Sequence, residues 1–296
     1  MYVNNTSGAQ SWNLGSTENT RQSINGIHKS NDNIKLTSKI ITGLTESSNG
    51  NILLEDCEAK HSDDYHPLSE VLVKSNNGSI KINSNSHIRG SVRNSNGKVS
   101  VADSVIEGDI KTSNGNIALK GGCCSSVATS NGKIELTQAT VSSVNNSNGK
   151  VMLDETTVTG DVKMSNGTLS SNNSKIQGRL EMNSNKFTLG SDSEVNHLKL
   201  IHVETLSSAS ISSLFRGCNI TGGGSITING VSYNNSNLSR RSDTDEAAES
   251  VTQYVTLENG ARLNHLEFTG EKCILTLEGT AEYTGSPQEK LEIIRA

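Results

Sequence analysis

A Ser-Asn-Gly tripeptide recurs at nearly constant spacing, and this repetition constrains the fold more than any other feature of the sequence. From Gly97 to Gly167, successive turns are separated by 18, 17, 17 and 18 residues. The residues at these corners are Asn49, Gly50, Asn96, Gly97, Asn114, Gly115, Asn131, Gly132, Asn148, Gly149, Asn166 and Gly167. Degenerate copies occur at Asn31 and Asn77. The step of 28 residues from Gly50 to Gly78 indicates an insertion in that unit.

Apolar residues alternate after each of these glycines. The pairs are Ile52 and Leu54, Ile80 and Ile82, Val99 and Val101, Ile117 and Leu119, Ile134 and Leu136, and Val151 and Leu153. A second set of pairs precedes the next turn, with a glycine inside each pair: Ile88 and Val92, Ile106 and Ile110, Val158 and Val162, Ile176 and Leu180. Alternation with period two predicts strands with one buried face. Amphipathic helices fit poorly because Ser-Asn-Gly would interrupt each one.

The repeat length predicts the fold. Eighteen extended residues span roughly 60 Å, which makes three sides of roughly 20 Å each. We therefore predict an all-β chain, a single-stranded parallel β-helix (solenoid) of roughly triangular cross-section with 17–19 residues per coil. Asn-Gly would occupy a corner that needs positive φ. Equivalent asparagines would then form a hydrogen-bonded ladder along that corner.

The strength of the pattern divides the chain. We predict an N-terminal tail or cap at 1–29, the β-solenoid at 30–232 with an insertion at 55–70, a polar linker or excursion at 233–253, and a C-terminal solenoid portion or cap at 254–296. The last assignment depends on two similar hexamers, Val-Asn-His-Leu-Lys-Leu from Val195 and Leu-Asn-His-Leu-Glu-Phe from Leu263.

Composition narrows the partners. Apolar residues make up 32% of the chain and aromatic residues 3%, which suits a thin aliphatic core. A net charge of -5 argues against nucleic acid as a partner. The sequence predicts no transmembrane segment and no cofactor, and a location that is cytoplasmic or exported without a cleavable signal peptide. We expect a protein partner, or self-association through a β-face or terminal edge.

Two groups of residues have side chains that could carry chemistry. Cys57, His61 and His66 in the insertion are weak metal candidates because their spacing matches no standard zinc site, and an exposed loop is the simpler interpretation. Asp109 and Asp161 share a repeat position, but three coils separate them by roughly 14 Å, too far for a pair of catalytic carboxylates. No catalytic residues are therefore predicted.

Repeated histidines and adjacent cysteines favour structural roles. His197 and His265 occupy equivalent places in the two hexamers, which favours a position beside a ladder over a catalytic pair. In the pair Cys123 and Cys124, one side chain is expected inside the coil and the other outside.

Several units resemble known bacterial repeats. Val-Ile-Glu-Gly-Asp-Ile from Val105 and Val-Thr-Gly-Asp-Val from Val158 are similar to the repeat of bactofilins, cytoskeletal β-helices that polymerise end to end. Thr-Ser-Asn-Gly-x-Ile-x-Leu at Thr112, with its counterpart at Thr129, is closer to an adhesin-like bacterial β-solenoid repeat family. The resemblance covers residues 30–190 and implies a solenoid fold.

The sequence thus predicts a non-catalytic β-solenoid that acts as a scaffold, a polymer-forming protein or a protein-interaction protein. An adhesin-like or exported effector binding module is the alternative, and a carbohydrate-active β-helix enzyme is the least supported one.

Overall fold

The computed structural model of the chain describes residues 21–62, 67–184, 186–202, 226–228, 231–233 and 252–296. Within those ranges the regular structure is entirely β. The first strands are β1 (Gln22–Lys29), β2 (Ile34–Thr37), β3 (Lys39–Ser47), β4 (Ile52–Glu55), β5 (Glu58–Lys60), β6 (Val71–Ser75), β7 (Ile80–Asn83), β8 (His87–Ile88), β9 (Ser91–Asn94) and β10 (Val99–Ala102). The middle strands are β11 (Val105–Ile106), β12 (Ile110–Thr112), β13 (Ile117–Lys120), β14 (Cys123–Thr129), β15 (Ile134–Thr137), β16 (Thr140–Asp154), β17 (Thr157–Val158), β18 (Val162–Asn172) and β19 (Lys175–Asn183). The remaining strands are β20 (Lys186–Leu189), β21 (Glu194–Ile201), β22 (Ile226–Ile228), β23 (Val231–Tyr233), β24 (Thr252–Leu257), β25 (Arg262–Phe268), β26 (Lys272–Leu277), β27 (Glu282–Tyr283) and β28 (Leu291–Arg295).

The strands wind into a parallel β-solenoid of about 12 coils, as predicted. Face A carries β2, β4, β7, β10, β13 and β15, then the end of β16, the end of β18, β20, β24, β26 and β28. Face B follows with the starts of β1 and β3, then β5, β8, β11, the starts of β14 and β16, β17, the starts of β19, β21 and β25, and β27. Face C completes each coil with the ends of β1 and β3, then β6, β9, β12, the end of β14, the middle of β16, the start of β18, and the ends of β19, β21 and β25. Antiparallel pairing occurs between β22 and β23.

The aliphatic pairs stack into columns inside the coils. On face A, Ile117 lies in register with Val99 on one side and Ile134 on the other, and Leu119 lies between Val101 and Leu136. All the pairs named from the sequence are buried, with at most 2% exposure. The predicted core is confirmed, and it fills each coil because inward residues of adjacent coils contact one another directly.

The corner between faces C and A, here called the Asn corner, carries the predicted asparagine ladder. Each side-chain amide donates to the side-chain oxygen of the asparagine one coil below, at 2.7–3.1 Å, through Asn31, Asn49, Asn77, Asn96, Asn114, Asn131, Asn148 and Asn166. A planar amide has both a donor and an acceptor, so one residue type can continue the ladder through every coil.

The prediction that the glycines of the Asn corner need positive φ is wrong. Positive φ is recorded instead at Gly43, Gly121, Gly122, Gly260 and Gly279. A Cβ added to Gly50, Gly78, Gly97, Gly115, Gly132, Gly149 or Gly167 would lie 1.9–2.2 Å from the carbonyl oxygen of the corner residue one coil below. Glycine is required because the backbones of adjacent coils approach too closely for a side chain.

A buried polar residue lies three positions before most of the corner glycines and can hydrogen-bond to the backbone from inside, whereas Met164 takes this place before Gly167. The hydroxyl of Ser47 accepts a hydrogen bond from the backbone N–H of Gly50, and Asn94 accepts from Gly97. The amide of Asn146 donates to the carbonyl of Gly132 at 2.9 Å. These buried polar side chains therefore replace the aliphatic column where the chain turns.

The corner between faces A and B is where non-glycine residues adopt positive φ. They are Ser38, Asp56, Ser84, Asn85, Asp103, Gln138, Glu155, Asn173 and Asp192. Five of these nine are Asp or Asn, which tolerate the left-handed region best among residues with a side chain. This column repeats at the coil period, with Gly121 in the same row.

The solenoid continues through the C-terminal portion. Strand β24 lies in parallel register on β20, and β25 lies on β21, although residues 202–251 separate β24 from β21 in the chain. The predicted C-terminal portion is thus an extension of the same coils. At the other end, β1 lies inside the predicted tail or cap at 1–29 and pairs with β3 as part of the first coil. Residues 1–20 and 234–251, which include most of the predicted linker, lie outside the described residues.

The described part of the chain contains no helix with the length and apolarity to cross a membrane.

Replacement of Asn131 by alanine tests the asparagine ladder. Asn131 donates to Asn114 and accepts from Asn148, so the change removes two hydrogen bonds. We expect a loss of about 1 kcal/mol in the free energy of unfolding, because exposed hydrogen bonds contribute modestly. Urea denaturation measures this value. Asn145→Ala is the matched control, since Asn145 is exposed on face C outside the ladder. Equal effects of the two changes would show that the ladder does not stabilise the fold.

Candidate functional site

The inserted residues stand at the corner between faces B and C. Strands β4 and β5 occupy ordinary coil positions, and the extra residues are 61–70, between β5 and β6. Cys57 therefore lies in the coil itself, where it is completely buried and its Sγ is 3.3 Å from the carbonyl oxygen of Glu55. Burial raises the pKa of the Cys57 thiol, which disfavours the thiolate that binds metals. His61 lies on the loop with its Nδ1 3.5 Å from Glu70, and His66 is outside the described residues.

The two repeated aspartates serve separate local contacts. Ile110 and Val162, the residues that follow them, are connected through Val127 and Val144, so three coils separate the aspartates as predicted. Asp109 forms an ion pair with Lys111 at 2.7 Å. Asp161 accepts a hydrogen bond from the backbone N–H of Arg179. The coil geometry thus keeps these carboxylates from acting together on one substrate.

Cys123 and Cys124 face opposite sides of their strand. Cys124 is buried inside the coil and Cys123 is half-buried, as expected from alternation along β14. Burial raises the pKa of the Cys124 thiol strongly. Both therefore serve best as packing residues.

Face C contains a concave surface, here called the face C groove. The groove has a volume of about 530 Å³. One wall is a row of outward side chains on β6, β9, β12, β14 and β16, and the other wall is formed by the serines that precede the Asn corner. The serines are Ser95, Ser113, Ser130 and Ser147. Among the described residues that line it, Ala128 alone is apolar. The groove is therefore suited to hydroxyl groups, amides and anions.

Three cations on adjacent coils give the groove its charge. Lys74, Arg93 and Lys111 lie in register with one another. Lys74 pairs with Glu46 at 2.6 Å, and this hydrogen bond lowers the pKa of the Glu46 carboxyl. Lys111 is neutralised by Asp109. Arg93 has no ion-pair partner in the part of the chain that the structure describes, so it supplies the uncompensated charge.

The last described coil exposes apolar core positions. Leu291 and Ile293 on β28 lie in register with Cys273 and Leu275, which are fully buried one coil below. Ile293 is nevertheless 46% exposed, and the outward neighbour Ile294 is 42% exposed. Strand β28 pairs with β26 along one edge, and its other edge has no strand partner among the described strands. Among the described residues, this coil therefore has both unpaired backbone groups and partly uncovered core positions.

The two equivalent histidines lie next to each other. His197 on β21 is in register with His265 on β25, and their ring centroids are 4.5 Å apart in an edge-to-face arrangement. Sequence reasoning placed them beside a ladder but missed Glu267, whose carboxylate faces both rings. The two hexamers differ at this position, with Lys199 in the first and Glu267 in the second, and this difference could have pointed to Glu267.

The chain is a parallel β-solenoid, and these surfaces are its candidate functional sites. Searches against protein-family models, curated proteins and solved structures find no match to the chain.

Proposed function

We propose that this chain is a non-catalytic β-solenoid scaffold that associates with a second copy of itself through its end coils. The exposed apolar end of the core at β28 carries the proposal. Soluble proteins normally cover such an edge, because unpaired strand groups beside apolar side chains favour pairing with another chain.

A second copy is the partner that fits this end best. The first described coil has half-buried aliphatic residues, Ile24, Ile27 and Leu36, that pack against the same core. Placing this coil of one copy on β28 of another would continue the parallel pairing and the aliphatic columns. Such a contact joins two different surfaces and adds each copy along the solenoid axis, so it repeats without closing and yields a filament. The similarity of several repeats to bactofilins is consistent with this arrangement.

The change Ile293→Lys tests the proposal. It puts a charge at the open end of the core, where a docked copy would have to bury it. We expect the unmodified chain to associate as concentration rises, and Ile293→Lys to stay monomeric, in multi-angle light scattering and negative-stain electron microscopy. Tyr254→Lys is the control, because Tyr254 is 48% exposed but lies on the side of face A. A monomeric unmodified chain at its highest soluble concentration would refute the proposal.

The face C groove favours a second candidate, an adhesin-like binding module. Its serine row and the uncompensated charge of Arg93 suit an extended acidic or hydroxyl-rich ligand. A chain that stays monomeric in the same experiment, and binds an oligoglutamate peptide in a salt-dependent manner, would favour this function over the scaffold.

A further inference from the structure

We propose that His197, His265 and Glu267 form a binding site for a divalent transition metal of the zinc class. The site is independent of the end coils and of the face C groove, so it does not rest on the proposed function.

The solenoid places the three side chains on one outward surface. His197 and His265 are register partners on adjacent coils. Glu267 follows His265 by two residues on β25, so both side chains project from the same side of the strand. The buried Leu198 and Leu266 project to the opposite side, into the core. The backbone of two coils therefore fixes the position of all three groups.

The distances suit a shared ion. The Nε2 atoms of His197 and His265 lie 3.1 Å and 3.9 Å from the same carboxylate oxygen of Glu267. One ligand atom from each residue can be chosen so that all three lie within 4.8 Å of one another. Bonds of about 2.0–2.1 Å to a tetrahedral zinc ion hold ligand atoms about 3.3 Å apart, so small side-chain rotations complete the site. Two imidazoles and one carboxylate are a common donor set for zinc and related metals, with the remaining position open to water.

A second observation concerns Nε2 of His197. This atom is buried and lies 3.1 Å from the Glu267 carboxylate, but without the alignment of a good hydrogen bond. A metal ion between the two groups would give this nitrogen a well-aligned partner.

Arg179 gives the alternative interpretation and a way to test it. Its guanidinium nitrogen lies 3.8 Å from Glu267, so without a metal the cluster is a charge network of Arg, Glu and His. A metal ion would compete with Arg179 for the carboxylate. Arg179→Gln should therefore strengthen metal binding, whereas in a purely structural network it would only loosen Glu267.

Calorimetric titration of the metal-free full chain with Zn²⁺ is the test, and Co²⁺ absorption reports the coordination geometry. We expect one ion per chain, and a loss of more than about tenfold in affinity on His265→Gln, since even outer partners of a metal site contribute that much. Glu267→Gln should weaken binding as well. Circular dichroism checks that each variant is folded. We expect His265→Gln to fold normally, because the His265 side chain is 48% exposed.

His87→Gln is the matched control. His87 pairs with Glu107 at 2.7 Å on the same solenoid, in a cluster without a second histidine among the described residues. It should leave Zn²⁺ affinity unchanged. Absence of binding, or binding that survives His265→Gln and disappears on His61→Gln, would overturn the proposed site.

Discussion

Gly115→Ala is expected to destabilise the solenoid by about 4 kcal/mol or more, the range reached when a substitution forces the backbone to move. A Cβ on Gly115 would lie 1.9 Å from the carbonyl oxygen of Gly97, well below the 3.0 Å that separates real Cβ atoms from their neighbours. The obstructing atom is backbone, so no side-chain rotation relieves the clash. The coils on either side must separate at the Asn corner.

Urea denaturation measures the free energy of unfolding for Gly115→Ala. Amide hydrogen exchange locates the damage, because a repeat array can open locally. Ser100→Ala is the control: Ser100 faces outward, and the next coil already has Ala118 at the equivalent place. The control should change stability by less than about 0.5 kcal/mol. If Gly115→Ala has an equally small effect, the close approach of adjacent coils is wrong.

Leu119→Ala is expected to cost about 2–5 kcal/mol. Leu119 is 1% exposed and stacked between Val101 and Leu136 in the face A column. A coil cannot collapse onto the cavity without moving its neighbours out of register, which favours the upper part of the range.

Thermal and urea unfolding of Leu119→Ala give the comparison. Leu68→Ala is the same chemical change at a side chain that is 48% exposed, so its cost should be clearly smaller. Similar costs at the two positions would mean that Leu119 is not enclosed by neighbouring coils.

The sequence predicted the parts of the fold that one residue type repeats in register. Asn114 and Ile117 recur at the coil period, so both the amide ladder and the aliphatic column could be recognised before the structure. The role of Gly115 could not, because a glycine demanded by backbone contact and one demanded by positive φ are identical in sequence. The left-handed corner was missed because Asp103, Gln138 and Glu155 share a conformation without sharing a residue type.

Insertions also limited the prediction. The 28-residue step shows that residues were added to one coil, but only the structure shows that they follow β5, which removes Cys57 from the loop. The position of Arg179 beside His197 could not be predicted from the sequence, because the pairing of β19 with β21 shifts register between Ile176 and Arg179.

Spin-label distances between strands that precede and follow residues 202–251 test the winding of the chain most directly. Arg93 is connected to Lys199 by six successive register steps along face C, and to Glu267 by a seventh, although 68 residues separate Lys199 from Glu267. At the usual strand spacing, labels at Arg93 and Lys199 should lie about 29 Å apart, and labels at Arg93 and Glu267 about 34 Å apart. Two narrow distributions that differ by about 5 Å are the predicted result. A broad distribution, or a much longer second distance, would contradict a single solenoid that returns to register after residue 251.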